Sequence, residues 1–145
     1  MKLPPPKKQK SYSEFLTTKE HLGVWSGFDP VFMPDFLFDF QKSLIDWAIR
    51  KGRAAIFADC GLGKSAMELV CAQNIIQQTN KPFLILTPLA VSKQEQREGN
   101  KFGIDCEVSR DGKFSKKIVI TNYERLHYFN PNDFCGCACD ESSIL

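Results

Sequence analysis

The sequence predicts an α/β fold, a mostly parallel sheet with helices on both faces. Three observations predict it. Short runs that are apolar throughout (residues 54–58, 82–87 and 118–121) alternate with stretches of helical periodicity, and strands of that kind sit in sheets covered on both sides. The first run passes through a glycine-bracketed turn, Asp59-Cys60-Gly61-Leu62-Gly63-Lys64-Ser65, into a helix. Each run also stops at polar residues: Asp59 to Ser65, Thr87-Pro88, Thr121-Asn122 and Asp140-Glu141. Those are the carboxyl ends of the strands, where parallel sheets bind ligands.

Whole-chain properties narrow the field. At 145 residues and 43% apolar the chain can bury one real core. Its formal charge of +2 makes no global case for nucleic-acid binding, so any basic surface must be local. The six cysteines (60, 71, 106, 135, 137 and 139) fall in predicted strands, a helix and the glycine turn, as in a reduced cytoplasmic protein. No apolar segment follows the basic N-terminus, and none approaches the roughly 20 residues of a membrane helix, so no membrane partner is expected. Three regions result. Residues 1–10, with three prolines and four lysines, read as a disordered basic tail; 11–33 as a helix-and-loop extension; and 34–145 as the folded lobe.

Taken in order, Ser11-Tyr12-Ser13-Glu14 is a capping-box pattern that predicts a short helix over 12–18. Gly23, Gly27, Asp29-Pro30 and Pro34 break the chain into a loop whose Trp25, Phe28 and Phe32 should pack back on the lobe or stack on a base. Asp39 is a candidate cap for a helix with Phe40, Leu44, Trp47 and Ala48 on one apolar face, stopped at Gly52. A strand over 54–58 feeds the glycine turn. The helix over 66–78 is apolar on more than one side and ends at Asn80 and Pro82. A strand over 82–88 follows. Ser92-Lys93-Gln94-Glu95 is a second capping box, opening a helix to about residue 102. Residues 105–109 form a weak strand, 110–116 a polar turn and 118–121 a firm strand; Thr121 to Glu124 then cap a short helix carrying Leu126 and Tyr128. A turn at 130–133 leads to a last strand over 134–140.

Strand, glycine loop, Lys-Ser and helix form a physical recipe for holding a phosphate chain. Gly61 and Gly63 let backbone N–H groups approach phosphate oxygens closely, and the following helix adds its unpaired amides and positive dipole end. Lys64 would reach the β- and γ-phosphates, and the Ser65 hydroxyl would ligate Mg²⁺. Ala58 stands where the general pattern has glycine. Asp140 and Glu141 supply a second feature: a strand-end carboxylate that holds Mg²⁺, and a neighbour that orients or deprotonates the attacking water. Cys135, Cys137 and Cys139 share one strand face without a second pair at ligand spacing, so they read as small core residues rather than zinc ligands.

Those motifs together resemble the first RecA-like lobe of superfamily 2 helicases and translocases. Residues Ala58 to Ser65 are similar to motif I of that family, Leu86 to Ala90 to motif Ia, Val119 to Glu124 to the TNYE segment of Swi/Snf-like members, and Asp140 to Ser143 to motif II. The Asp-Glu-Ser-Ser run resembles the "DESS" helicases of bacteriophages and prophages, which implies a bacterial host cytoplasm. The resemblance implies ATP and Mg²⁺ as cofactors. Gln41 would read adenine, and Asp59, Cys60, Gly61, Leu62, Gly63, Lys64, Ser65 and Ala66 would cradle the phosphates. Ser65 and Asp140 would hold the metal, with Lys64, Asp140 and Glu141 catalytic. It also implies a nucleic-acid partner, DNA ahead of RNA, touched at Thr87, Pro88, Thr121 and Asn122, with Lys93 and Arg97 adding charge. Motif III, a second RecA-like lobe and its arginine finger are not in the sequence, which implies half a motor completed in cis or in trans. Two other readings stay open: a different P-loop enzyme such as a small kinase, and a non-catalytic remnant that binds a partner.

Overall fold

A computed structural model describes residues 25–141. The tail predicted over 1–10, the helix over 12–18, and Ser142 and Ser143 lie outside the described residues. In chain order the elements are α1 (Asp39–Lys51), α2 (Lys64–Thr79), β1 (Phe83–Thr87), α3 (Ser92–Lys101), β2 (Cys106–Val108) and β3 (Ile118–Asn122); two 3₁₀ turns (Tyr123–Tyr128 and Pro131–Asp133) and β4 (Cys137–Cys139) follow. The sheet has four strands in the order β2-β3-β1-β4, all parallel. Thr87 at the end of β1 lies beside Asn122 at the end of β3, and Leu86 beside Cys139.

Strand order and hand explain where the connections run. The β1–β2 crossover moves across the sheet in one direction, while β2–β3 and β3–β4 move in the other. Parallel crossovers are right-handed, so opposite directions must use opposite faces. The core divides accordingly. Phe83, Ile85, Ile118 and Ile120 project into the larger cluster, under Ile45 and Ile49 of α1 and Met67, Leu69 and Val70 of α2. The α3 helix closes the same side: a Cβ added at Gly99 would meet the Cys106 sulfur at 2.3 Å. Leu84, Leu86 and Val119 point the other way, beneath Phe129, Phe114, Phe134 and Tyr123. The predicted helical cover on both faces is thus corrected. Among the described residues only one face carries α-helices, because the connections on the other collapse into 3₁₀ turns and aromatic side chains.

Other expectations need correction. Residues 54–58 are not a strand. No strand among the described residues pairs with them, and Phe57 is 97% exposed while Ile56 and Ala58 touch the core. Apolar, β-prone residues form a strand only where a neighbour supplies the ladder. The buried face of α1 is Gln41, Ile45 and Ile49, one residue on from the predicted stripe, leaving Phe40 and Trp47 largely outside. Phe38, rather than Asp39, precedes the first turn, and Gly52 ends the helix with φ +79° and an amide bonded to the Ala48 carbonyl. The last strand shrinks to three residues with Cys137 and Cys139 exposed on its edge, so they are not core. Phe28 and Phe32 pack on the lobe as predicted, and Asn74 fixes that loop by accepting the Val31 and Phe32 amides at 2.8 Å each.

Candidate phosphate-loop site

The glycine turn is built for exposed amides. Asp59 accepts the Cys60 amide at 2.8 Å, and Gly61 and Gly63 take positive φ values of +80° and +73°. Gly63 is the N-cap of α2 in the left-handed conformation, which costs little only for glycine. Among the described residues, the N–H groups of Gly61, Gly63, Lys64, Ser65 and Ala66 donate to no protein group. These five free donors lie in and just after the glycine turn, at the positive end of a 16-residue helix. That arrangement suits an anion.

Gln41 is engaged by the protein itself. It is 5% exposed; its Oε1 accepts the Phe38 amide at 3.0 Å and its Nε2 donates to the Leu62 carbonyl at 2.9 Å. The side chain thus ties the start of α1 to the phosphate loop. A Cβ at Gly63 would lie 2.4 Å from that same Nε2, so the loop's glycine and the anchor define each other. With one hydrogen bond at each end of the amide, Gln41 acts as a strut of the loop.

Parallel pairing brings the second predicted feature to the first. The Asp140 amide donates to the Leu86 carbonyl at 2.8 Å, prolonging the β1–β4 ladder by one bond. Tyr123 donates its hydroxyl to the Asp140 carbonyl and so clamps the strand end. Burial raises the Asp140 carboxyl above its usual range and the Glu141 charge adds to this, while the Lys64 ammonium pulls it back. Lys64 and Asp140 therefore share one electrostatic neighbourhood. Glu141 follows, exposed and in the left-handed region at φ +50°, a conformation non-glycine residues hold only when their surroundings fix it.

Two further acids stand here that no sequence motif singled out. Glu95 is 0% exposed. Burial, with help from the Glu98 and Asp140 charges, pushes its carboxyl up to about 7, against the Ser65 hydroxyl beside it, which favours the ionised form. Neither Glu95 oxygen has a hydrogen-bond partner. The capping-box expectation for Ser92 and Glu95 fails, since Ser92 bonds the Thr87 hydroxyl at 2.8 Å and Glu95 turns inward. Glu68, one turn into α2 from Lys64, is raised well above the carboxylate range by burial, then by Glu95 and Asp140. The only advance signal was the i, i+3 and i, i+4 spacing of Glu68 from Ser65 and Lys64.

The residues predicted to touch nucleic acid are mostly inside. Thr87, Thr121 and Asn122 are 0%, 1% and 4% exposed. Asn122 donates to Glu124, and Pro88 alone is partly accessible. Thr87 and Asn122 bond groups near their strand ends, while the buried Thr121 hydroxyl has no hydrogen-bond partner. Charge collects instead in an adjoining cavity of about 490 Å³, lined by Lys93, Gln96, Arg97 and Asn100 of α3 and by Arg110 and Lys113 of the loop after β2. None of the four cations makes an ion pair among the described residues, and Asp111 is the only acid in the lining. The groove carries a formal +3, more than the +2 of the whole chain.

No protein-family model matches the chain, and no curated protein matches its sequence. Among the described residues, no helix is long and apolar enough to cross a membrane.

Proposed function

We propose that the chain is a RecA-like lobe that binds a magnesium–nucleoside triphosphate, ATP by its motifs, and belongs to an ATP-dependent helicase or translocase acting on nucleic acid. One observation carries this reading: the Lys64 ammonium, in a loop whose amides are unsatisfied, interacts with the Asp140 carboxyl at the carboxyl end of a parallel strand. Amides and Lys64 suit the phosphates. Ser65 and Asp140 would hold Mg²⁺, and the orphaned Glu95 carboxyl beside Ser65 fits a cation there. When bound, the ion offsets charge on the transferring phosphoryl group. Glu141, exposed beside Asp140, would hold the attacking water, and Gln41 keeps the loop in its anion-binding shape.

Support for the nucleic-acid partner comes from the basic groove, whose α3 wall begins at the Thr87-Pro88 turn. Backbone phosphates are the ligand that four unpaired cations along one helix and loop would recognise without regard to sequence. A second lobe, in cis or in trans, would complete the motor.

The test is ATP hydrolysis with and without single- and double-stranded DNA. Hydrolysis stimulated by DNA and absent in Lys64→Ala and Glu141→Gln supports the reading. Lack of ATP binding by the wild-type chain would end it.

A further inference from the structure

Glu95 is the group that neither the fold nor the proposed chemistry absorbs. It sits on the inner face of α3 with Ser92 and Gly99, completely buried, with both carboxyl oxygens unpartnered. A carboxyl in that state is costly to keep, and an apolar side chain would serve packing better. Its charged neighbours are all acids: Glu98 on its own helix, Glu68 on α2 and Asp140 beyond β4. From β2 it is faced by the Cys106 thiol. No local role explains it either, because Ser92 is bonded to Thr87 and the helix start makes no side-chain cap. What it does have beside it is the Ser65 hydroxyl at the start of α2.

Resting on the nucleotide reading above, we propose that Glu95 is a positioning residue for Ser65: its carboxyl, unpartnered here and beside Ser65, takes up the hydroxyl proton in a hydrogen bond when the divalent cation binds and thereby turns the lone pairs of Oγ toward it. A serine hydroxyl has one proton to donate and two lone pairs to offer. If the O–H swings toward the cation, the oxygen loses its value as a ligand. A buried acceptor on the opposite side removes that orientation. Among the described residues, no group of three or more His, Cys, Asp or Glu side chains is arranged to hold a metal ion directly. Glu95 therefore acts through Ser65. Groups that orient metal ligands in this way typically change metal affinity by about 10–100-fold when removed.

The experiment measures binding, so turnover plays no part in it. A fluorescent, non-hydrolysable ATP analogue is titrated into the full chain at rising Mg²⁺, with Mn²⁺ as a second probe, and again in EDTA. Glu95→Leu should move the half-maximal cation concentration upward by about 10–100-fold and leave affinity in EDTA unchanged. Glu95→Gln retains an acceptor of the same shape and should stay within a few-fold of wild type. In a Ser65→Ala background Glu95→Leu should add nothing, since its effect passes through that hydroxyl. An unchanged midpoint in Glu95→Leu, or an equal loss with and without cation, overturns the proposal. Wild-type chain that shows no cation-dependent binding overturns the nucleotide reading and this inference together. Cation-dependent wild-type binding that is indifferent to Glu95 overturns this inference alone.

Discussion

The α3 helix meets opposite chemistry on its two sides. Inward, Ser92, Glu95 and Gly99 are buried against β2 and the phosphate-loop helix; outward, Lys93, Gln96, Arg97 and Asn100 line a basic groove. One side holds an acid without a partner, the other cations without counterions. The difference teaches that formal charge along a helix says little until burial is known. An orphan acid inside implies a cation or hydroxyl nearby, whereas unpaired cations outside imply a polyanion.

The inner side should respond most strongly, and first to pH. A folded-state Glu95 carboxyl raised from 4.5 to about 7 favours the protonated form in the native protein. Its contribution to stability is then complete below the unfolded value and lost as pH rises through the folded one. Denaturant unfolding at pH 5 and pH 7.5 should differ by about 2 kcal/mol from this group, the lower pH being more stable. Glu68 and Asp140, also raised, push in the same direction. Glu95→Leu should flatten the slope, and a slope unaltered by that change would place the titration elsewhere.

How much of this was readable beforehand depended on whether the cause was local. The β1 and β3 strands were legible because every residue in them is apolar up to the terminal Thr or Asn, and every residue is buried. The glycine loop was legible because positive φ at 61 and 63 nearly demands glycine. Asp140 was placed beside Lys64 by counting strands, and parallel pairing puts it there. Residues 54–58 misled because strand formation needs a partner that composition does not reveal. Gln41 misled because a polar side chain is buried on the core face of α1, bonded to the nearby Phe38 amide and to the distant Leu62 carbonyl. Ser92 and Glu95 matched a local capping pattern, yet the Thr87 hydroxyl took Ser92. The Thr-led turns read as ligand sites, but the side chains of Thr87, Thr121 and Asn122 are buried, which composition did not reveal.

Smaller effects sharpen the contrast further. Gly99→Val would drive side-chain carbon toward the Cys106 sulfur and Leu69, so thermal melts should show a loss of about 1–3 kcal/mol without altered groove charge. On the outer side, Lys93→Glu with Arg97→Glu should leave the melting temperature in place. It should weaken DNA binding by about tenfold or more at low salt and flatten the salt dependence by about one phosphate contact per residue. Unchanged DNA affinity would remove the groove from the account. The smallest effect tests the strut. Gln41→Ala should weaken ATP and GTP by the same factor, about fivefold, through loss of the buried hydrogen bond to the Leu62 carbonyl, worth about 1 kcal/mol. Selective loss of ATP would return Gln41 to base reading.

The central claim is that the loop amides, Lys64 and Asp140 form one site for a magnesium–triphosphate. It is tested most directly by titrating a fluorescent ATP analogue, in Mg²⁺ and in EDTA, against wild type, Lys64→Ala and Asp140→Asn. The account predicts that Lys64→Ala loses about 10–100-fold in both media, as expected for a charged hydrogen bond to phosphate. Asp140→Asn should lose affinity only where Mg²⁺ is present. Asp140→Asn binding the magnesium complex as tightly as wild type, with Lys64→Ala impaired, would separate the two features and contradict the account.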